Sequence, residues 1–268
     1  MESSDLAFYL YCLAPSGHDI QCSAAGVDGR QPVLVCTCGE FCAVYSEVAL
    51  EEFLGESAEA HLQDLVWLGP RVCSHEAVIE QIMSLTSVLP ARFATIFSSL
   101  DSLKQFVLEH REAIAGFFAD LDGKQEWAVK GLLDRALALE KLGQSTVQEQ
   151  LLNVSPGMRY FQEKRLKIQL EREFNQRLRA FCQQTAAAMA VHTGGFMERK
   201  VLASVAGETE GEVVSNWAFL LSPGALDNFR DNLERFNDGK AFPGLKLALT
   251  GPWPPYSFAP DLSGGAGA

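Results

Sequence analysis

Ser155 to Val191 limits most what this chain can fold into, because its residue pattern fits one long α-helix and nothing shorter. Ser155 suits the N-cap, and Pro156 the first helical position, where its missing N–H costs nothing. Met158, Phe161, Leu166, Leu170, Phe174, Leu178 and Phe181 recur mostly four residues apart, which draws one apolar stripe. Gly194 and Gly195 end the pattern. At 1.5 Å per residue the helix reaches roughly 50 Å, whereas a six-residue strand spans about 20 Å. The helix can therefore cover a sheet and overhang it by roughly 30 Å. The overhang has to meet another domain, a partner or water.

Charge separates this segment from the rest. Between Gly157 and Cys182, seven Lys/Arg stand against three Glu, a local charge of +4. The whole chain carries −12, so the remainder carries −16. The plain reading is a solvated helix face, and the sharper one is a docking face for something acidic. An acidic chain lacks the basic footprint of sequence-independent nucleic-acid binding and is repelled by anionic lipid. No nucleic-acid or membrane partner is expected. The N-terminal MESSD is acidic and unlike a secretory signal, and no run of about 18 apolar residues suggests a membrane span. The seven cysteines are odd in number and crowd the first third, so they read as reduced thiols of a cytoplasmic protein.

In chain order, Leu6–Leu13 reads as a buried strand, and Val33–Cys38 with Phe41–Val48 as a hairpin. Glu56–Thr86 reads as two helices broken at Pro70. Val88–Phe97 reads as a strand limited by Pro90, and Ser102–Leu121 as a helix. The chain turns at Asp122–Gly123. Gln125–Leu133 alternates like a strand, the long helix follows, and Met197–Val205 and Val213–Leu221 flank the acidic loop Gly207–Glu212. Pro223–Asn237 reads as a helix capped by Ser222, and Leu245–Thr250 as a strand. The fold class is α+β with two domains. The C-terminal one is ferredoxin-like: β-α-β-β-α-β, a four-stranded antiparallel sheet with a very long helix. The expected boundaries are 1–122, 123–252, and a Pro/aromatic tail with a disordered end at 253–268.

No chemistry-bearing motif emerges. Nucleotide-binding glycine motifs are absent. His75–Glu76 opens like a zinc-protease motif, but position 79 is Ile, so the second ligand is missing. Cys36, Cys38 and Cys42 suggest either a metal or, more simply, small thiols filling a sheet. Glu208, Glu210 and Glu212 lack a calcium pattern. No catalytic, cofactor or metal residue is assigned.

Five strings remain, none with catalytic logic: DLVWLG from Asp64 with Arg71, HEAV from His75, VLPARFATIF from Val88, GKQEWAVK from Gly123 and LTGPWPPYSF from Leu249. Together, in this order and over nearly the whole chain, they resemble the gas vesicle GvpL/GvpF family. Ala94 stands where the family favours Gly. The resemblance implies a non-enzymatic accessory or minor structural protein of gas vesicle assembly, without cofactors. The implied setting is a prokaryotic cytoplasm, on or near the vesicle, in an organelle that gives buoyancy. Implied partners are the small hydrophobic shell protein and other gas vesicle accessory proteins. A binder of so apolar a subunit needs an apolar or aromatic contact beside solubilising charge. Candidate contacts are Arg165, Arg172 and Arg179 on the basic helix and Trp253, Tyr256 and Phe258 on the tail.

Structural readings stand beside these. Asp64, Trp67, Arg71, His75 and Glu76 mostly share a helical face, where Arg71 and Glu76 would pair with Asp64 or Arg92 to staple helix to strand. Glu126 and Lys130 share a strand face, opposite Trp127 and Val129. The tail is expected to fold back and bury Trp253, helping the long helix to join the domains. A small-molecule-binding or regulatory ferredoxin-like module is the alternative function, and an unrecognised enzyme would need a cleft with perturbed titrating groups.

Overall fold

A computed structural model describes residues 6–17, 19–54, 56–141, 156–201, 211–238 and 242–262, without the side chains of 56, 57, 59 and 156–163. The fold is α+β with two antiparallel sheets. The chain divides into two compact units, Met1–Gln125 with Trp253–Ala268, and Glu126–Pro252.

The first unit is built around β1 (Leu6–Pro15), whose near-continuous apolar run is buried along most of its length, as a strand covered on both faces requires. It pairs antiparallel with β3 (Phe41–Ala49), which pairs in turn with the edge strand β2 (Leu34–Cys38). The expected hairpin is present. Helices α1 (Leu50–Phe53), α2 (Glu56–Gln63) and α3 (Leu65–Met83) follow.

The break between helices falls at Asp64, not at Pro70. Asp64 caps α3 by accepting from the Val66 N–H, and Pro70 sits only six residues into the helix. The carbonyl its missing N–H leaves unpaired is that of Val66, at a turn whose side chain is 84% exposed, so the proline is tolerated there.

Val88–Phe97 is not one strand. It forms two contacts with β1, β4 (Leu89–Pro90) and β5 (Ile96–Phe97), separated by a turn with Ala94 at φ +62°. The expected helix 102–121 is likewise two, α4 (Leu100–Glu109) and α5 (Arg111–Leu121), parted at His110. Ser99 starts α4 with a capping box to Ser102.

The second unit contains β6 (Gln125–Leu133), a short α6 over residues 135–141 that the sequence pattern did not suggest, and α7 (Pro156–Ala190). Then come β7 (Gly195–Glu198), β8 (Glu212–Leu221), a 3₁₀ turn (Pro223–Ala225), α8 (Leu226–Asn237) and β9 (Leu245–Trp253). Sheet order is β7-β8-β6-β9. Ser155 and the acidic stretch 207–210 lie outside the described residues, as do 202–205 of the expected strand after the long helix. Ser222 makes no side-chain cap bond.

Helix α7 has 35 residues, about 52 Å at 1.5 Å each. Phe174, Leu178, Ala186 and Met189 are buried against the strands and α8. From Lys164 to Glu173 no side chain is buried, and Leu166 and Leu170 are only half-covered. Strand β9 continues through Gly251 to Trp253, past its expected end at Thr250. Gly251 has φ +134°, and a Cβ there would approach the Glu126 carbonyl and the Trp127 ring at 3.1 Å.

Glu126 is fully buried and paired with Arg199, while Lys130 is exposed, so the two do not share an environment despite their spacing on β6. Removing one partner of a buried pair strands the other charge, at 3–5 kcal/mol when both are dry. The Arg199 side chain keeps 30% of its exposure, which lowers that cost. We expect Glu126→Ala to reduce the unfolding free energy by about 2–3 kcal/mol in urea titrations followed by tryptophan fluorescence. Lys130→Ala should change it by less than about 0.5 kcal/mol.

Candidate functional site

In the first unit the core of β1, β3 and α3 encloses a polar chain. Tyr9 and His75 are fully buried, among Phe53 and Phe93. The Ala94 N–H donates to the Tyr9 hydroxyl at 3.1 Å. Tyr9 Oη lies 2.9 Å from His75 Nδ1. His75 Nε2 lies 3.2 Å from the Ala91 carbonyl and 3.2 Å from Tyr256 Oη. The Tyr256 hydroxyl donates to Glu76 Oε1 at 2.9 Å.

The protons can be assigned from this geometry. A carbonyl only accepts, so Nε2 carries hydrogen toward Ala91. Burial holds His75 at about 4, so the ring is neutral and Nδ1 is a bare acceptor for the Tyr9 hydroxyl. Tyr256, whose hydrogen goes to Glu76, then accepts from Nε2–H. Burial pushes the Tyr9 phenol up, and burial together with the Glu76 charge does the same for Tyr256. Glu76 is raised, chiefly by burial. Both ring nitrogens of His75 are engaged, so it is a clamp and not an available base.

The other motif residues serve the same unit. Arg71 pairs with Glu52 at 2.9 Å and stacks on Trp67 at 4.1 Å from the ring centroid. The expected partners were Asp64 and Arg92, but Asp64 is engaged as the N-cap. Glu76 meets Tyr256 instead of an arginine. Trp67 also stacks on His61 and packs edge-on to Phe53.

The tail residues divide. Pro254 and Pro255 are buried, Tyr256 joins the polar chain, and Phe258 is half-buried. Trp253 is 42% exposed, so its expected burial does not hold; it ends β9, and Tyr256 is the residue that anchors the segment. Beside Tyr256 runs a groove of about 370 Å³, lined mainly by apolar side chains including Leu10, Phe97 and Phe106, with Arg92 and Asp261 among its polar ones.

In the second unit Arg165, Arg172 and Arg179 are all exposed on α7. Ile168 lies between the first two, half-exposed. Sequence reasoning missed Leu62, Leu65 and Val66 at the α2–α3 junction, which are 48%, 78% and 84% exposed. The available signal was that Trp67, Arg71 and His75 define the inward face of α3, which leaves Leu65 and Val66 outside it.

Among the described residues no group of three or more potential metal ligands gathers, and no helix is long and apolar enough to cross a membrane. Cys42 pairs with Thr37 in the β2–β3 register, on the face opposite Cys36 and Cys38.

The family model for gas vesicle synthesis protein GvpL/GvpF matches residues 7–260. The chain belongs to the GvpL/GvpF family. It is 27% identical over 260 residues to gas vesicle protein L of Streptomyces sp. (strain CB03234), covering 96% of this chain and 94% of that one. It is 25% identical to gas vesicle protein F of Dolichospermum flosaquae, covering 95% and 98%. The crystal structure of GvpF from Anabaena sp. PCC7120 superposes with a TM-score of 0.71 at 20% identity, covering 95% of this chain and 98% of that one. This is a family of gas vesicle accessory proteins and not of enzymes, and it gives the chain a role in gas vesicle assembly.

The polar chain makes two predictions. Tyr256→Phe removes the Glu76 hydrogen bond and should cost about 1–2 kcal/mol in urea unfolding. For His75, the folded pKa of about 4 lies below the ordinary 6.5. Between those values the unfolded chain binds the proton and the folded one does not, so stability falls with falling pH, by up to about 3 kcal/mol. Glu76, being raised, opposes this just above pH 4.5, where the folded state takes up its proton first. His75→Gln should therefore flatten the fall in melting temperature between pH 6.5 and 4 relative to the wild type.

Proposed function

We propose that this protein binds the small hydrophobic shell protein during gas vesicle assembly, as a cytoplasmic factor associated with the vesicle and with other accessory proteins of the same pathway. The observation that carries this reading is the exposed stretch Lys164–Glu173 of α7. A helix does not extend ten residues beyond its own core without a use for the surface, and here that surface alternates cations with aliphatic carbon: Arg165, Leu166, Ile168, Leu170, Arg172. In the other unit, Leu62, Leu65 and Val66 offer a second apolar contact, and Trp253 and Phe258 an aromatic one. The net charge of −12 keeps a complex with an apolar subunit in solution.

Under the same proposal residues 126–252 are a ferredoxin-like domain. The order β7-β8-β6-β9 is the one in which the first and third strands of a β-α-β-β-α-β run lie at the centre. The tail from Trp253 onward belongs to the other domain.

Two measurements test the binding reading. Reversing Arg165, Arg172 and Arg179 to Glu together should weaken capture of purified shell protein by about tenfold, about 1.4 kcal/mol, with the melting temperature held within a few degrees. Trp253→Ala, at a half-exposed site, should cost only about 1–2 kcal/mol of stability while also reducing capture. Unchanged capture in both variants would remove α7 and the tail as contacts. In cells, a clean deletion should abolish or stunt vesicles, and normal buoyancy without a paralogue would overturn the assembly role.

A further inference from the structure

The thiols of the first unit fall into unlike environments. Cys36 and Cys38 are two apart on β2, so both side chains project from one face, with their sulfurs 3.8 Å apart. Cys36 is partly exposed and Cys38 buried. Strand β2 is the edge of its sheet, so its outer side is open to small molecules. Helix α4 packs on this strand and brings the Lys104 ammonium toward Cys36. On β3, Ala43 faces Cys36, and diagonal to it the Tyr45 phenol is pushed up chiefly by burial and then by Cys36. A half-exposed sulfur beside a cation, with a second sulfur in contact, is the setting in which a thiol reacts and is then resolved.

We propose that Cys36 and Cys38 form a peroxide-sensitive dithiol, in which Cys36 is oxidised and Cys38 resolves it. The inference does not depend on the shell-protein reading. The Cys36 thiolate attacks one oxygen of hydrogen peroxide. The O–O bond breaks, hydroxide leaves, and the sulfur, two electrons oxidised, becomes a sulfenic acid. The Cys38 sulfur then attacks that of Cys36. The S–O bond breaks, the Cys38 proton leaves with the hydroxyl as water, and a disulfide joins the two.

The electrostatics agree. The Cys38 thiol donating to it, aided by Lys104 and opposed by burial, brings Cys36 down to about 7. The same contact, with burial, pushes Cys38 up, so the exposed member is the nucleophile. At neutral pH about half of Cys36 is thiolate against a few per cent of an ordinary thiol, but a less basic sulfur is a weaker nucleophile. The net advantage is about threefold. Residues two apart on a strand have Cα atoms about 6.6–6.8 Å apart, at the long end of what a disulfide spans, so closure bends β2. An edge strand with one paired neighbour permits this.

The test uses the full reduced chain, sub-stoichiometric hydrogen peroxide, dimedone to trap sulfenic acid and peptide mass spectrometry. Cys73, the exposed thiol of α3, is the internal control. The wild type should lose two hydrogens on the peptide holding Cys36 and Cys38. Cys38→Ser keeps a donor beside Cys36 and should replace the disulfide by a dimedone adduct at Cys36. Cys36→Ser should show neither. Lys104→Gln, which leaves both thiols in place, should slow oxidation of the wild-type pair by less than about threefold, because Lys104 only aids the Cys38 contact in lowering Cys36. The proposal is overturned if Cys73 reacts first, or if Cys36 in the folded chain reacts no faster than in urea.

Discussion

His75 lies in an aromatic core with both ring nitrogens hydrogen-bonded, and the placement of the surrounding first unit follows from keeping them so. A buried polar group left unpaired costs several kcal/mol, and within a low dielectric the penalty is larger than the net gain of each bond made. The ring is satisfied when Tyr9 from β1 donates to Nδ1 and the Ala91 carbonyl from the turn after β4 accepts from Nε2–H, a hydrogen that Tyr256 from the C-terminal segment shares as a second acceptor. Ala94 accepts a left-handed backbone in the same turn, and its N–H completes the Tyr9 hydroxyl. Hydrophobic burial holds these elements together without specifying their register. The hydrogen-bonded chain supplies the register.

The second unit solves a different problem. Helix α7 buries Phe174, Leu178, Ala186 and Met189, which anchor it, while none of the side chains from Lys164 to Glu173 is buried. Isolated helices of ten or so residues are marginal in water, but extension of an anchored helix adds one bond per residue without a new nucleus. Lys, Arg, Glu, Gln and Leu dominate Lys164–Glu173, all strong helix formers, and Gln169 donates to Glu173 one turn on. A rigid rod of exposed cations and aliphatic carbon can thus be maintained without a core beneath it.

Where local pattern and packing agree, structure was legible in the residues. Gln125–Leu133 alternates between a Gly123 turn and Asp134, and β6 has those bounds. The ends of α7 followed from Pro156 and the Gly194–Gly195 pair. Illegible features depended on contacts between distant residues. Pro70 looks like a breaker until one knows that Asp64 caps the helix six residues earlier. Val88–Phe97 reads as one strand because nothing local reveals that Ala94 turns left-handed to meet Tyr9. Of the tail aromatics Trp253 is the largest and drew the expectation of burial, yet Tyr256 is buried deeper because its hydroxyl has partners at positions 75 and 76. The recurring strings marked which residues matter, but their roles as cap, clamp and latch needed the fold. The candidate contacts on α7 were visible as a charge imbalance, whereas Leu65 and Val66 were hidden among apolar neighbours that turn inward.

The first unit is discontinuous: it leaves off at Gln125 and resumes at Trp253. A ribosome delivers its parts in two instalments. Roughly 130 residues at about 5–20 per second separate them, an interval of roughly 6–26 s. During that time His75 lacks Tyr256, Glu76 lacks its donor, and the side of the core that Tyr256 packs against is uncovered. The intervening unit emerges whole within the same interval. Completion of the first unit thus waits until translation has passed the tail, and until then Glu76 is without the Tyr256 hydroxyl that donates to it in the finished protein.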